Sequence, residues 1–173
     1  MKKSSCIISL ILLLSIFLVV PAYSATTFVW KCHNRYLGNE CNAIVISPNM
    51  PAVFSCSANG AWGQQGKHSW QKIGQGDART NFVFQCTKIH HWVACYEFRI
   101  TSGSPSTYGC IAAGKHNWNL VNQGPAGKKY TWECMHYVNN RPCTARYASA
   151  TVPGVSGCGS FLFTNRRHSF RVR

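Results

Sequence analysis

Acidic side chains are nearly missing from this chain. Its 173 residues hold four of them, Glu40, Asp77, Glu97 and Glu133, against 18 lysines and arginines. The pair of carboxylates that flanks the scissile bond in most glycoside hydrolases has little to draw on here. A Ser-His-Asp triad would have to recruit Asp77, the one aspartate, from a glycine-flanked joint. No G-x-S-x-G, H-E-x-x-H or phosphate-cradling glycine loop occurs, so catalysis is not expected. There is no C-x-x-C spacing, and no metal or cofactor is assigned. RNP, KH and zinc-finger patterns are also missing, which argues against sequence-specific nucleic-acid binding.

Long apolar runs are confined to the start. Lys2 and Lys3 precede a run from Ile7 to Val20 broken only by Ser9 and Ser15, and Pro21-Ala22-Tyr23-Ser24 adds a helix breaker and small residues. Residues 1–24 read as a secretory signal peptide, the run being too short to span a bilayer. The expected mature chain, 25–173, has no transmembrane segment and is placed outside the cell, or in the periplasm of a bacterium. It keeps 16 lysines and arginines (18 less Lys2 and Lys3) against the four acids, a net charge of +12. That surplus favours polyanionic partners.

What the chain does have is cysteine in a repeated frame. Cys32, Cys41 and Cys56 are spaced by 9 and 15 residues, and the same spacings separate Cys86, Cys95 and Cys110, then Cys134, Cys143 and Cys158. The chain is three copies of one unit, 25–76, 77–126 and 127–173. Two and four residues before each first cysteine stand aromatics: Trp30 and Phe28, Phe84 and Phe82, Trp132 and Tyr130. That alternation predicts a half-buried strand. Segments rich in β-branched and aromatic residues follow each second cysteine, a third strand is expected at each last cysteine, and a fourth at HSW, HNW and HSF (68–70, 116–118, 168–170). Glycine-rich stretches such as Gly74-Gln75-Gly76-Asp77 read as joints. Helical periodicity is absent after the first two dozen residues. Three copies of about four strands predict an all-β, β-trefoil-like, disulfide-stabilised domain, the alternative being three tandem small disulfide-rich β modules.

Export places the nine remaining cysteines where disulfides persist. A shared pattern bonds first to second in each copy, Cys32–Cys41, Cys86–Cys95 and Cys134–Cys143, with first-to-third pairing the alternative. Cys56, Cys110 and Cys158 are then left over, as buried thiols, as an odd partner in a disulfide-linked dimer, or as three thiolates brought to one threefold axis. On the closing strand, His68, His116 and His168 share a face with Trp70, Trp118 and Phe170. They read as scaffold, with a histidine cluster on the axis the sharper alternative, while Lys67, Lys115 and Arg167 face outward as a basic surface.

Binding is expected in the first-to-second cysteine loops, which are dense in aromatic, basic and amide groups. Copy one offers His33, Arg35 and Tyr36, copy two Lys88, His90, His91 and Trp92, and copy three His136, Tyr137, Asn140 and Arg141. Rings pack on sugar faces and guanidinium or amide groups supply directional donors. The sequence is therefore read as a secreted, non-catalytic, lectin-like protein for carbohydrate or other anionic surface ligands. A cationic antimicrobial or toxin-like factor and a protease-inhibitor-type trefoil are the alternatives.

Overall fold

A computed structural model describes residues 25–36, 39–58, 66–138, 141–158 and 167–173, without the side chains of Tyr36 and Val138. The expected signal peptide and Asn140 lie outside the described residues. Among the described residues all regular structure is β, and no helix is long and apolar enough to cross a membrane.

Among the described residues each copy contributes five strands. The first has β1 (Thr27–Cys32), β2 (Arg35–Tyr36), β3 (Asn39–Glu40), β4 (Ile44–Ser47) and β5 (Trp70–Gly76). The second has β6 (Thr80–Cys86), β7 (Ile89–His90), β8 (Val93–Ala94), β9 (Phe98–Thr101) and β10 (Trp118–Pro125). The third has β11 (Tyr130–Cys134), β12 (Tyr137–Val138), β13 (Arg141–Pro142), β14 (Arg146–Ser149) and β15 (Phe170–Val172). In every copy the first strand is the centre of a three-stranded antiparallel sheet, ordered β4-β1-β5, β10-β6-β9 and β14-β11-β15, and the second and third strands make a separate hairpin. These pairings draw three separate sheets and no closed barrel among the described residues. The strand expected at each third cysteine is reduced to one isolated bridge in each of the first two copies, Cys56 to Gly66 and Tyr108 to Lys115, and no strand is present at Cys158 among the described residues.

The expected joint at Gly74–Asp77 is largely strand, since β5 runs through Gly76. Its glycine serves packing: a Cβ on Gly74 would sit 2.3 Å from Leu120 Cδ2. The same edge strand carries a bulge in both of the first two sheets, at Ile73 opposite Val29 and Trp30 and at Val121 opposite Val83 and Phe84.

The sheets stack in series because a strand turns alternate side chains to opposite faces. Val29 and Ile44 of the first module share a core cluster with Phe82 and Phe84 of the second. Val83 and Phe98, on the second module's other face, share one with Tyr130 and Trp132 of the third. There the rings of Phe98 and Trp132 meet edge to face at 5.0 Å. The middle strand β6 is consequently enclosed on both sides, with Phe82, Val83 and Phe84 fully buried. Each such phenylalanine contributes about 1.5–3 kcal/mol, so the modules hold one another.

The ends of the stack differ from its interior. On the outer face of the first module Phe28 and Trp30 are half-buried, with Lys72 Nζ 4.7 Å from the Phe28 ring centroid. On the outer face of the last, Thr131 stands where Val29 and Val83 stand, and Arg146 where Ile44 and Phe98 stand. There Arg146, Arg171 and Arg173 each come within 2.8 Å of the Glu133 carboxylate. Their bonds hold the Glu133 carboxyl down to about 2. A charged outer face is what terminates a stack of repeats in water.

Candidate metal centres

The three cysteines and one histidine of each copy are brought together by one local plan. The first cysteine ends the central strand, and its amide donates to the carbonyl of Ala43, Glu97 or Ala145, two residues past the second cysteine, at 3.0, 2.8 and 3.0 Å. The second cysteine closes the hairpin, its amide donating to Asn34, Lys88 or His136 at 3.0, 2.8 and 2.8 Å. The third lies in the following loop. The histidine enters just before the closing strand, its amide donating to the carbonyl of Val53, Thr107 or Val155. The indoles of Trp70 and Trp118 tie the same loops by donating to Ala52 and Ser106 at 3.0 and 2.8 Å.

The four side chains of each set converge, their ligand atoms all within 4.8 Å of one another: Cys32, Cys41, Cys56 and His68; Cys86, Cys95, Cys110 and His116; Cys134, Cys143, Cys158 and His168. First and third sulfurs are 3.8, 3.9 and 3.9 Å apart. The second sulfur lies 3.5, 3.6 and 3.5 Å from the histidine Nδ1. A disulfide requires sulfurs at about 2.05 Å. All nine of these cysteines are thiols, which corrects the expected Cys32–Cys41, Cys86–Cys95 and Cys134–Cys143 bonds. Cys56, Cys110 and Cys158 are not leftovers on a common axis, and the three histidines do not gather on one. Each joins its own copy, because the hairpin and the loop of that copy aim at the same point. Three sulfurs and one ring nitrogen make four donors, so the odd cysteine in each copy disappears.

These two separations in each set match those of tetrahedral zinc ligands. Zinc bonds of about 2.3 Å to sulfur and 2.0–2.1 Å to nitrogen place tetrahedral ligands about 3.8 Å apart for S···S and about 3.6 Å for S···N. Burial pushes the Cys32 and Cys95 thiols up to about 12 and Cys134 to about 11. At Cys41 burial pushes the same way but is outweighed by the Ala43 amide and neighbouring Cys56, Ser57 and Cys32, and the thiol is lowered. Burial also lowers His68 and His116 below the ordinary imidazole range, favouring the neutral ring that a metal needs.

The aromatic two residues after each histidine stacks on the ligand ring. His68 and Trp70 lie 4.4 Å apart at 22°, His116 and Trp118 4.4 Å at 22°, His168 and Phe170 5.0 Å at 20°. The repeated H-x-W/F segment is thus scaffold and candidate ligand at once. Spacing rules missed it because the distance from third cysteine to histidine changes from copy to copy. Three cysteines and one histidine in the same order in every copy was the signal available.

The expected binding residues are spread along the stack. Lys88 and Lys115 share a polar cleft of about 520 Å³ between the first two modules with Asn39, Glu40, Asn42, Ser57, Thr87 and Asn117. His33 is exposed, and Arg35 pairs with Glu40 at 3.6 Å. His91 and Trp92 form the turn between β7 and β8 with φ of +44° and +68°, and Trp92 is 100% exposed. His90 packs edge-on against His91. Tyr137 and Arg141 are exposed in the third hairpin, whereas His136 turns inward, its Nδ1 3.4 Å from Cys158 Sγ. Lys67, Lys115 and Arg167 are all exposed. Comparison of the chain with protein-family models, with curated proteins and with solved structures gives no match.

Proposed function

We propose that this is an exported, non-catalytic binding protein whose three modules are each built around one structural zinc ion, and which takes acidic carbohydrate on the loops those ions fix. The observation that supports it is the convergence of three sulfurs and one Nδ1 within 4.8 Å in every module, with the first-to-third sulfur and second-sulfur-to-Nδ1 separations matching tetrahedral zinc. Structural zinc is held by four protein ligands, while catalytic zinc keeps a position open for water. Four protein donors fill each set here, and eleven of the twelve side chains are buried, His68 being half-buried. Ligand recognition then belongs to the loops. In an oxidising compartment a bound cation also keeps the sulfurs apart and out of disulfide exchange.

The cleft between the first two modules supports acidic carbohydrate as the ligand. Its two lysines outnumber its one carboxylate, Glu40, which is paired with Arg35, and its amides and the Ser57 and Thr87 hydroxyls supply directional donors and acceptors for sugar hydroxyls. Trp92, fully exposed on the turn of the β7–β8 hairpin whose Ile89 lines the cleft, offers a ring face for stacking. Elemental analysis of the purified chain tests the first half: three zinc ions per chain are expected, and three disulfides with no metal would overturn it. A glycan array comparing sulfated or uronic-acid oligosaccharides with neutral ones tests the second, and binding that does not distinguish them would refute it.

A further inference from the structure

In each centre the histidine faces the sulfurs through Nδ1, which leaves Nε2 on the far side of the ring to be oriented by an outer partner. Among the described residues, a carboxylate stands there in the middle module alone. The residue two places after the second cysteine is Ala43 in the first, Glu97 in the second and Ala145 in the third. Its carbonyl accepts from the first cysteine in all three, but only Glu97 also brings a carboxylate. Glu97 Oε2 lies 3.6 Å from His116 Nε2, and Oε1 is paired with Arg99, which fixes the group in place. His116 is also the most enclosed of the three histidines, 1% exposed against 7% for His168, while His68 is half-buried.

At 3.6 Å Glu97 is an ion-pair neighbour that closes to a hydrogen bond with a shift of about 0.6 Å. A carboxylate so bonded behind a ligand imidazole fixes its tautomer and ring plane and makes the coordinating nitrogen a stronger donor. Losing such a partner changes metal affinity by about 10- to 100-fold. The third centre departs differently, with the His136 ring nitrogen set against a ligand sulfur in place of a carboxylate behind the ligand nitrogen.

We infer that the three centres are unequal, and that the middle one, backed by Glu97, keeps its zinc under conditions in which the two outer ones exchange theirs. The inference rests on the zinc reading above. Glu97 is a positioning residue, acting on the metal through His116. Because the middle module is the one both neighbours pack against, metal loss would then loosen the ends of the stack and spare its centre.

The test titrates the zinc-loaded chain with a chromogenic chelator and records cadmium NMR of the cadmium-exchanged protein. One ion of three should survive to a chelator concentration at least about 10-fold higher than the other two. The surviving cadmium resonance should couple to the His116 ring protons. Glu97→Gln should shift that resonance alone and bring its release into line with the rest. Three ions leaving together would overturn the inference and leave the zinc reading standing. Resistance that couples to His68 or His168, or that persists in Glu97→Gln, would overturn it as well. A chain that binds no zinc would overturn the zinc reading and this inference with it. Should Glu97→Gln fail to fold, the identity of the resistant resonance in the unaltered chain decides alone.

Discussion

The Trp118 ring lies nearly parallel to the His116 ring, centroids 4.4 Å apart and planes 22° apart, so a fully buried indole sets the plane of a candidate metal ligand. Removing it should act on the core and the centre together. Trp118→Ala is expected to cost about 3–5 kcal/mol in urea unfolding and to speed zinc release from the middle module. Trp118→Phe, which reproduces the His168–Phe170 pairing of the third copy, should keep all three ions.

Removing a ligand should remove one ion. Cys110→Ser is expected to lower the zinc content from three per chain to two, counted by elemental analysis, and chelation of all three should abolish the near-ultraviolet dichroism of the buried tryptophans. Folding and metal binding are coupled wherever the site does not exist in the unfolded chain. Retention of the full dichroism in excess chelator would show that the sheets stand without metal.

Trp92 separates binding from stability. A non-glycine residue in the left-handed region carries a strain of about 1–2 kcal/mol. Trp92→Gly should therefore raise stability by about 1 kcal/mol, while its affinity for acidic oligosaccharide, measured by calorimetry, falls about 10-fold with the loss of the stacking face.

The cleft lysines should account for the salt dependence. Lys88→Ala and Lys115→Ala together are expected to weaken binding of a sulfated oligosaccharide and to flatten its decline between low and high salt, because screening acts on exposed charges. An unchanged salt slope would move the binding surface elsewhere.

The outer face of the third module should be convertible. Thr131→Val with Arg146→Ile gives it the apolar residues that face the next sheet in the first module, and the stack then presents a surface matched to its own opposite end. Light scattering should show concentration-dependent head-to-tail association, as a heterologous contact that does not close generates chains.

Much of this was legible in the residues. The cysteine frame gave three copies, and the alternation of Phe28 with Trp30 and of Phe82 with Phe84 gave the central strands. The sites were harder to read, because thiols in an exported chain suggest disulfides first and because the histidine follows the third cysteine at an unequal interval. Gly74 misled for a related reason. Glycine suggests a turn, but here it makes room for Leu120 of the next module, a contact across 46 residues that no local rule describes. The binding loops expected as three equivalents differ in fact, since His136 is drawn to Cys158 while His33 stays in solvent.

The charged face around Thr131 acts as a stop codon written in side chains. Every earlier layer ends in an apolar surface that asks for another layer, and the third answers with arginines paired to Glu133 and open to water. The length of the molecule is thus a property of one module alone. A second copy of residues 77–126 inserted ahead of residue 127 would find a Val83-type surface to sit on and offer the same surface upward, giving a four-layer rod with the original cap still at its end.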